Sequence, residues 1–140
     1  MQLHLFTYGS LMIPEIMRRV SGADFESREA TLDGYARYQL RGEKYPGLIA
    51  EEGTSTHGIV YLHLSEAAIE RLDRFEGDWY DRITVEIMTV DQKLLTAETY
   101  VLHPDAHPHL IREPWQLENF RISGMQQFLD DYKGFDAIDI

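Results

Sequence analysis

Two hydrophobic periods divide the chain. Residues 2–8, an apolar stretch that runs into Tyr8, read as a short buried strand. Ile13 to Val20 is amphipathic, and Pro14 suits the first turn of a helix over 14–20 that Ser21-Gly22 ends. From Glu26 to Leu64 the pattern alternates and turns often. Thr31 to Tyr35 reads as a strand closing on a turn at Gly34, followed by a second strand from Ala36 to Arg41. Residues 42–47 read as a loop, Leu48 to Ala50 as a short third strand, and His57 to Leu64 as strongly β in composition. Ser65 is a good N-cap for a helix over 66–75, where Ala68, Ile69, Leu72 and Phe75 share one face. Trp79 to Val90 and Leu94 to Leu102 predict a hairpin joined at Asp91-Gln92-Lys93. A polar connection follows His103-Pro104, then a helical region from about Trp115 to Tyr132. The alternation of many short strands with two or three helices predicts an α+β domain whose sheet curls or closes to hide its edges.

Composition narrows the class. A length of 140 residues predicts one domain, 1–140, with a core of ordinary size. No apolar run reaches 18 residues, so no membrane-spanning helix is expected, and the N-terminus lacks a basic, signal-like region. The absence of cysteine removes disulfides and thiolate metal sites, and a cytoplasmic location is the expectation. A net charge of −11 argues against general affinity for nucleic acid or anionic membranes, but leaves room for a small anion held by backbone amides.

The segment Thr7-Tyr8-Gly9-Ser10-Leu11 is the most informative. A strand, a tight loop and a helix start lie within a few residues, so backbone N–H groups and one hydroxyl converge as a carboxylate or phosphate requires. Bare strand–loop–helix punctuation is the alternative. With Ala30 to Tyr35, Tyr45-Pro46-Gly47, Gly58 to Tyr61, Leu72 to Gly77 and Tyr80-Asp81-Arg82, in this order and spacing, the segment resembles the gamma-glutamylcyclotransferase-like family. The likeness is greatest to the gamma-glutamylamine cyclotransferase and plant avirulence-induced-protein branch. It covers residues 3 to about 102; Trp115, Phe120, Phe128 and Gly134-Phe135 resemble the C-terminal helical tail of plant-like members, placed here at 111–140.

This resemblance implies a small mixed β-barrel flanked by two or three helices, with a pocket at one end. It implies release of 5-oxoproline from a small gamma-glutamyl substrate, without metal or organic cofactor. Glu76 matches the family's proposed catalytic glutamate, and Tyr8, Gly9, Ser10 and Leu11 the loop that holds the glutamyl group. The best-known cyclotransferase for gamma-glutamyl amino acids has Asn after its Gly-Ser pair. Leu11 stands here instead, which implies the amine-type branch.

The chemistry needs little from the protein. A gamma-glutamyl amide carries its own nucleophile, the α-amino group, and closing a five-membered lactam is intramolecular. One carboxylate serves both proton moves, first as base and then as acid. An α-ammonium near ~8 and a Glu near ~4.3 are mismatched by about 3.7 pH units, roughly 5 kcal/mol; raising the Glu to ~6 by burial recovers about 2.3 kcal/mol of it. Phe75, Gly77 and Trp79 give Glu76 an apolar setting in which that is expected. Each assignment has a plainer counterpart. Glu76 also reads as an exposed acid past a helix end, and Asp73 as a solvated partner of Arg74 or Arg82 rather than a second acid. Ser10 also reads as a weak cap, Tyr80 and Arg82 as packing or pairing residues rather than substrate-binding pocket lining, and Tyr45 as a loop anchor rather than a substrate contact. His103, His107 and His109 form an H-x3-H-x-H cluster; two interleaved prolines make a surface loop the better reading than a metal site. Arg18, Arg19 and Arg28 read as ordinary surface charges. A non-catalytic module of the same fold, binding a small carboxylate or a partner protein, is the competing function.

Overall fold

The structure, a computed structural model, describes residues 3–43 and 45–118. Strand β1 (Leu3–Thr7) is apolar on both faces because both are covered: Leu5 packs among the helices and Phe6 in a second cluster with Leu32, Leu48 and Val60. A 3-10 turn at Ser10–Met12 leads into helix α1 (Pro14–Ser21), which Gly22 ends. Ile16, Met17 and Val20 on its inner face meet Ala68, Ile69 and Leu72 of α2 (Glu66–Glu76), so the two helices share one core. The Ser65 hydroxyl caps α2 by accepting from the Ala68 amide at 3.2 Å.

Strands β2 (Ser27–Leu40) and β3 (Pro46–Leu64) form one long antiparallel pair. The turn expected at Gly34 is a bulge within β2: Gly34 has φ +85°, Asp33 lies opposite Ser55 and Tyr35 opposite Ala50. The extra residues 51–54 of β3 loop out at the same place, so the two strands expected on each side of the break are continuous. Strands β4 (Tyr80–Thr89) and β5 (Leu94–Leu102) are the expected hairpin.

The ring closes in the order β3-β1-β5-β4-β2 and back to β3, with β1 and β5 parallel and every other pairing antiparallel. It is a closed five-strand mixed barrel with α1 and α2 packed against it. Strand β6 (Leu110–Pro114) pairs with the far end of β2, Leu40 opposite Leu110. Residues 111–114 of the expected helical tail are therefore strand, because the edge of β2 beyond the ring offers them a ladder. Phe120, Phe128, Gly134-Phe135 and most of the helix expected over 115–132 lie outside the described residues. Between β5 and β6 the His-Pro segment forms a 3-10 turn, Pro104–His109. His103 Nδ1 accepts from the Asp105 amide at 3.1 Å, and the His109 ring stacks on Trp79 with centroids 4.6 Å apart. Among the described residues no group of three His, Asp or Glu side chains is placed to hold a metal, and no helix is long and apolar enough to cross a membrane.

Candidate active site

Four separate pieces of chain meet at one cavity. The end of β1 and its turn contribute Phe6, Thr7, Tyr8, Gly9, Ser10 and Leu11; the start of β3 contributes Pro46, preceded by Tyr45. The end of α2 contributes Phe75 and Glu76, and the barrel hairpin contributes Tyr80 and Tyr100. The cavity and its open mouth together enclose about 520 Å³.

The β1 turn is fixed from behind. Met12 N–H donates to Gly9 C=O at 3.0 Å and Ile13 N–H to Ser10 C=O at 3.1 Å, while Tyr61 hydroxyl donates to Leu11 C=O at 2.7 Å. Arg37, on β2, donates to Tyr8 C=O at 2.7 Å, and its guanidinium lies 5.5 Å from the centre of the Trp115 ring. The Tyr8 and Leu11 carbonyls are thus held by the barrel, and those of Gly9 and Ser10 by the turn itself. Among the described residues, the Ser10 and Leu11 amides and the Ser10 hydroxyl donate to no protein acceptor. These donors lie along the cavity lining and are available to an anion. Gly9 is required by close approach: a Cβ built there lies 2.9 Å from Cδ of Pro46 across the pocket.

At the opposite wall, α2 ends on Gly77, whose φ of +74° turns the chain sharply after Glu76. Glu76 keeps part of its surface exposed, but its carboxyl group is withdrawn from water. Burial pushes it up to about 8, with the nearby charge of Asp73 adding to the effect. Three tyrosines surround it, and each commits its proton elsewhere. Tyr8 hydroxyl donates to Tyr100 C=O, Tyr80 hydroxyl to Pro46 C=O at 2.6 Å, and Tyr100 hydroxyl to Asp73 Oδ1 at 2.7 Å. Among the described residues, none donates to the Glu76 carboxyl. Burial first holds Tyr8 and Tyr80 neutral far above the usual phenol range, with Glu76 next for Tyr8, and Tyr8 and then Glu76 next for Tyr80; Tyr100 is raised by burial and by its bond to Asp73. Among the described residues, the cavity lining therefore contains one proton-exchanging group, a neutral aromatic wall and no basic side chain.

Seven of the eight residues expected at the site, Tyr8, Gly9, Ser10, Leu11, Tyr45, Glu76 and Tyr80, line this cavity. The eighth does not. Arg82 bonds Asp73 Oδ1 through Nε at 3.0 Å and Glu98 Oε1 through Nη1 at 2.8 Å, outside the lining. Tyr80 and Arg82 project from the same face of β4, but two residues along a strand is about 6.6 Å, enough to leave the cavity. Tyr45 both anchors and lines, its ring centre 6.4 Å from that of Tyr80.

Residues 5–117 match the family described as gamma-glutamyl cyclotransferase, AIG2-like. The chain belongs to that family. The Arabidopsis thaliana AIG2-like protein A is 31% identical over 135 residues, 95% of this chain and 81% of the relative. A solution structure of another Arabidopsis thaliana protein superposes with a TM-score of 0.73 at 30% identity, covering 96% of this chain and 91% of that one. A structure titled gamma-glutamyl cyclotransferase shares the fold, with a TM-score of 0.65 at 20% identity over 74% of this chain and 68% of its own.

Membership of the gamma-glutamyl cyclotransferase, AIG2-like family accounts for the motif order, but two participants escaped the motifs. Tyr100 sits mid-strand in an apolar run of β5; the alternation of that strand puts it on the Glu98 face, which was the available signal. Arg37 occupies an ordinary alternating stretch of β2, and only the fold brings it beneath Tyr8. Phe6, Thr7, Pro46 and Phe75 are neighbours of expected residues and complete the apolar lining.

Proposed function

We propose that this chain is a cyclotransferase that releases 5-oxoproline from a gamma-glutamyl amine or a related gamma-glutamyl compound, with Glu76 as general base and then general acid. The observation that carries this reading is the Glu76 carboxyl, withdrawn from water, unbonded, and raised to about 8. The α-ammonium of the substrate lies near ~8 as well, so the proton it must lose passes to a base of matching strength. The α-carboxylate is held by the free donors of the Ser10-Leu11 turn, and the aromatic wall keeps the gamma-glutamyl chain folded.

The sequence of steps follows. Glu76 takes a proton from the α-ammonium, and the freed nitrogen attacks the side-chain carbonyl carbon, forming the ring bond. The C–N bond to the amine then breaks as protonated Glu76 returns its proton to the departing nitrogen. The ring nitrogen gives up its remaining extra proton to the released amine, so the products are 5-oxoproline and the leaving amine as its ammonium ion, and the Glu76 carboxylate is regenerated. Leu11 in the turn favours a leaving amine without its own carboxylate, and no described lining residue offers a basic side chain to a second carboxylate.

The test is direct. Purified protein is incubated with a panel of gamma-glutamyl amines and gamma-glutamyl dipeptides, and 5-oxoproline is detected. Release from at least one amine is expected, and Glu76→Gln is expected to keep the fold and lose about 100-fold or more in turnover. Binding of 5-oxoproline with no release from any substrate supports the binding-module reading instead. Turnover in Glu76→Gln within a few-fold of the parent removes Glu76 from the mechanism.

A further inference from the structure

Behind Glu76, polar side chains of α2, β4 and β5 join into one connected group. Asp73 precedes Glu76 by three residues on α2, which brings the two side chains to the same side of the helix. Its Oδ1 accepts from Tyr100 hydroxyl at 2.7 Å and from Arg82 Nε at 3.0 Å. Arg82 continues to Glu98 Oε1 at 2.8 Å, and Glu98 Oε2 accepts from Thr84 hydroxyl at 2.6 Å. Tyr100 lines the cavity, so Asp73 and Arg82 reach its wall without lining it themselves.

A charge count gives this group its meaning. One guanidinium is shared between two carboxylates, leaving a net negative charge one helical turn from Glu76. We propose that Asp73 and Arg82 are positioning residues that tune the proton affinity of Glu76 in opposite directions, Asp73 raising it and Arg82, by offsetting Asp73, lowering it. The catalytic consequence rests on the function proposed above; the electrostatic one does not.

The other groups around Glu76 leave this role to the pair. Tyr8 faces it from the β1 turn, Tyr80 from β4 and Tyr100 from β5, all neutral over the working range because burial raises them. Arg37 of β2 lies against the Tyr8 carbonyl, and Glu43 and Tyr45 bear on Tyr80. Asp73 is the acid whose charge acts on Glu76 after burial itself. With side-chain exposures of 41% for Asp73 and 30% for Arg82, water screens the pair, so the effect is moderate.

The experiment follows the Glu76 carboxyl carbon by NMR across pH in the substrate-free protein, with no dependence on turnover. Asp73→Asn is expected to move its midpoint down by about half a pH unit or more, and Arg82→Gln to move it up. Arg82→Lys, which keeps the charge, is expected to stay close to the parent. Midpoints that do not move, or that move the same way in Asp73→Asn and Arg82→Gln, overturn the inference, since a packing defect has no reason to change sign with charge. If Asp73→Asn fails to fold, the two Arg82 variants decide alone. The kcat/KM profile is measured alongside. Opposite midpoint shifts in proteins that release no 5-oxoproline uphold the charge pair and defeat the proposed function. Release with unmoved midpoints defeats only the charge pair.

Discussion

At Gly9 the missing side chain is the point of the residue. The Pro46 ring already occupies the position that a Cβ would take, 2.9 Å away, so Gly9→Ala must push apart the two walls that meet there. Weaker binding of 5-oxoproline is the expected result, measured by calorimetry. Ser10→Ala is expected to lose less, about 1 kcal/mol for one hydrogen bond, or roughly fivefold in Kd. Glu76 carries a stability consequence as well. Its carboxyl sits at an ordinary value of 4.5 when unfolded and about 8 when folded, so the native state holds an extra proton between those limits. Stability therefore falls as pH rises from about 4.5 to about 8 and levels off above. Glu76→Gln, which never ionises, is expected to melt higher than the parent at pH 9 and to converge with it near pH 5. An equal gap at both ends of a thermal-melt series counts against the raised value. Residue types at the site were legible through the ordered motifs that resemble the family; the local pattern alone left Glu76 readable as an exposed acid past a helix end and Tyr8–Leu11 as strand–loop–helix punctuation. Arg82 was misplaced because a strand pattern gives the face of a side chain but not how far along that face a cavity extends.

Among elements, the seating of β3 against β1 depends on one tight crossing. A Cβ at Gly58 would lie 2.1 Å from the Thr7 carbonyl oxygen and 2.8 Å from the Phe6 ring, so β3 could no longer sit against β1. Gly58→Ala is expected to cost about 1–3 kcal/mol or more, as overpacking does, and to appear as a fall in the denaturant midpoint. A midpoint equal to the parent's contradicts the register of Thr7 opposite Ile59. Helix α2 was readable to within a residue because its cap and apolar face agree with each other. The continuity of β2 and β3 was not. Gly34 carries the ordinary signature of a turn, and only the paired strand, with its four looped-out residues, shows that the ladder resumes beyond it. Strand β6 was hidden for another reason: five residues ending in proline at a sheet edge have little pattern of their own.

For the molecule as a whole, charge and cavity agree. The chain carries a net charge of −11, and among the described residues no basic side chain lines the pocket. A gamma-glutamyl amine whose leaving part is uncharged is a neutral zwitterion, whereas a gamma-glutamyl dipeptide carries one further negative charge and is repelled on approach. Raising salt from about 20 to about 200 mM shortens the screening length from roughly 20 Å to under 10 Å. It is expected to increase kcat/KM for dipeptides more than for amines; an equal response removes long-range repulsion as a factor. The closed sheet was expected from the number of short strands, but its order was not. The parallel contact of β1 with β5, Leu5 opposite Glu98, has no local signal because it joins residues more than ninety positions apart.

That contact sets a timetable for synthesis. The turn at residues 8–11 leaves the ribosome early, while Tyr100, which accepts the Tyr8 hydroxyl, follows roughly ninety residues later. At about 5–20 residues per second the interval is of order ten seconds. Throughout it the apolar first strand has no β5 partner, and the site's opening loop has no opposite wall. Nascent chains arrested before β5 are therefore open to chaperones at the very segment that later lines the cavity.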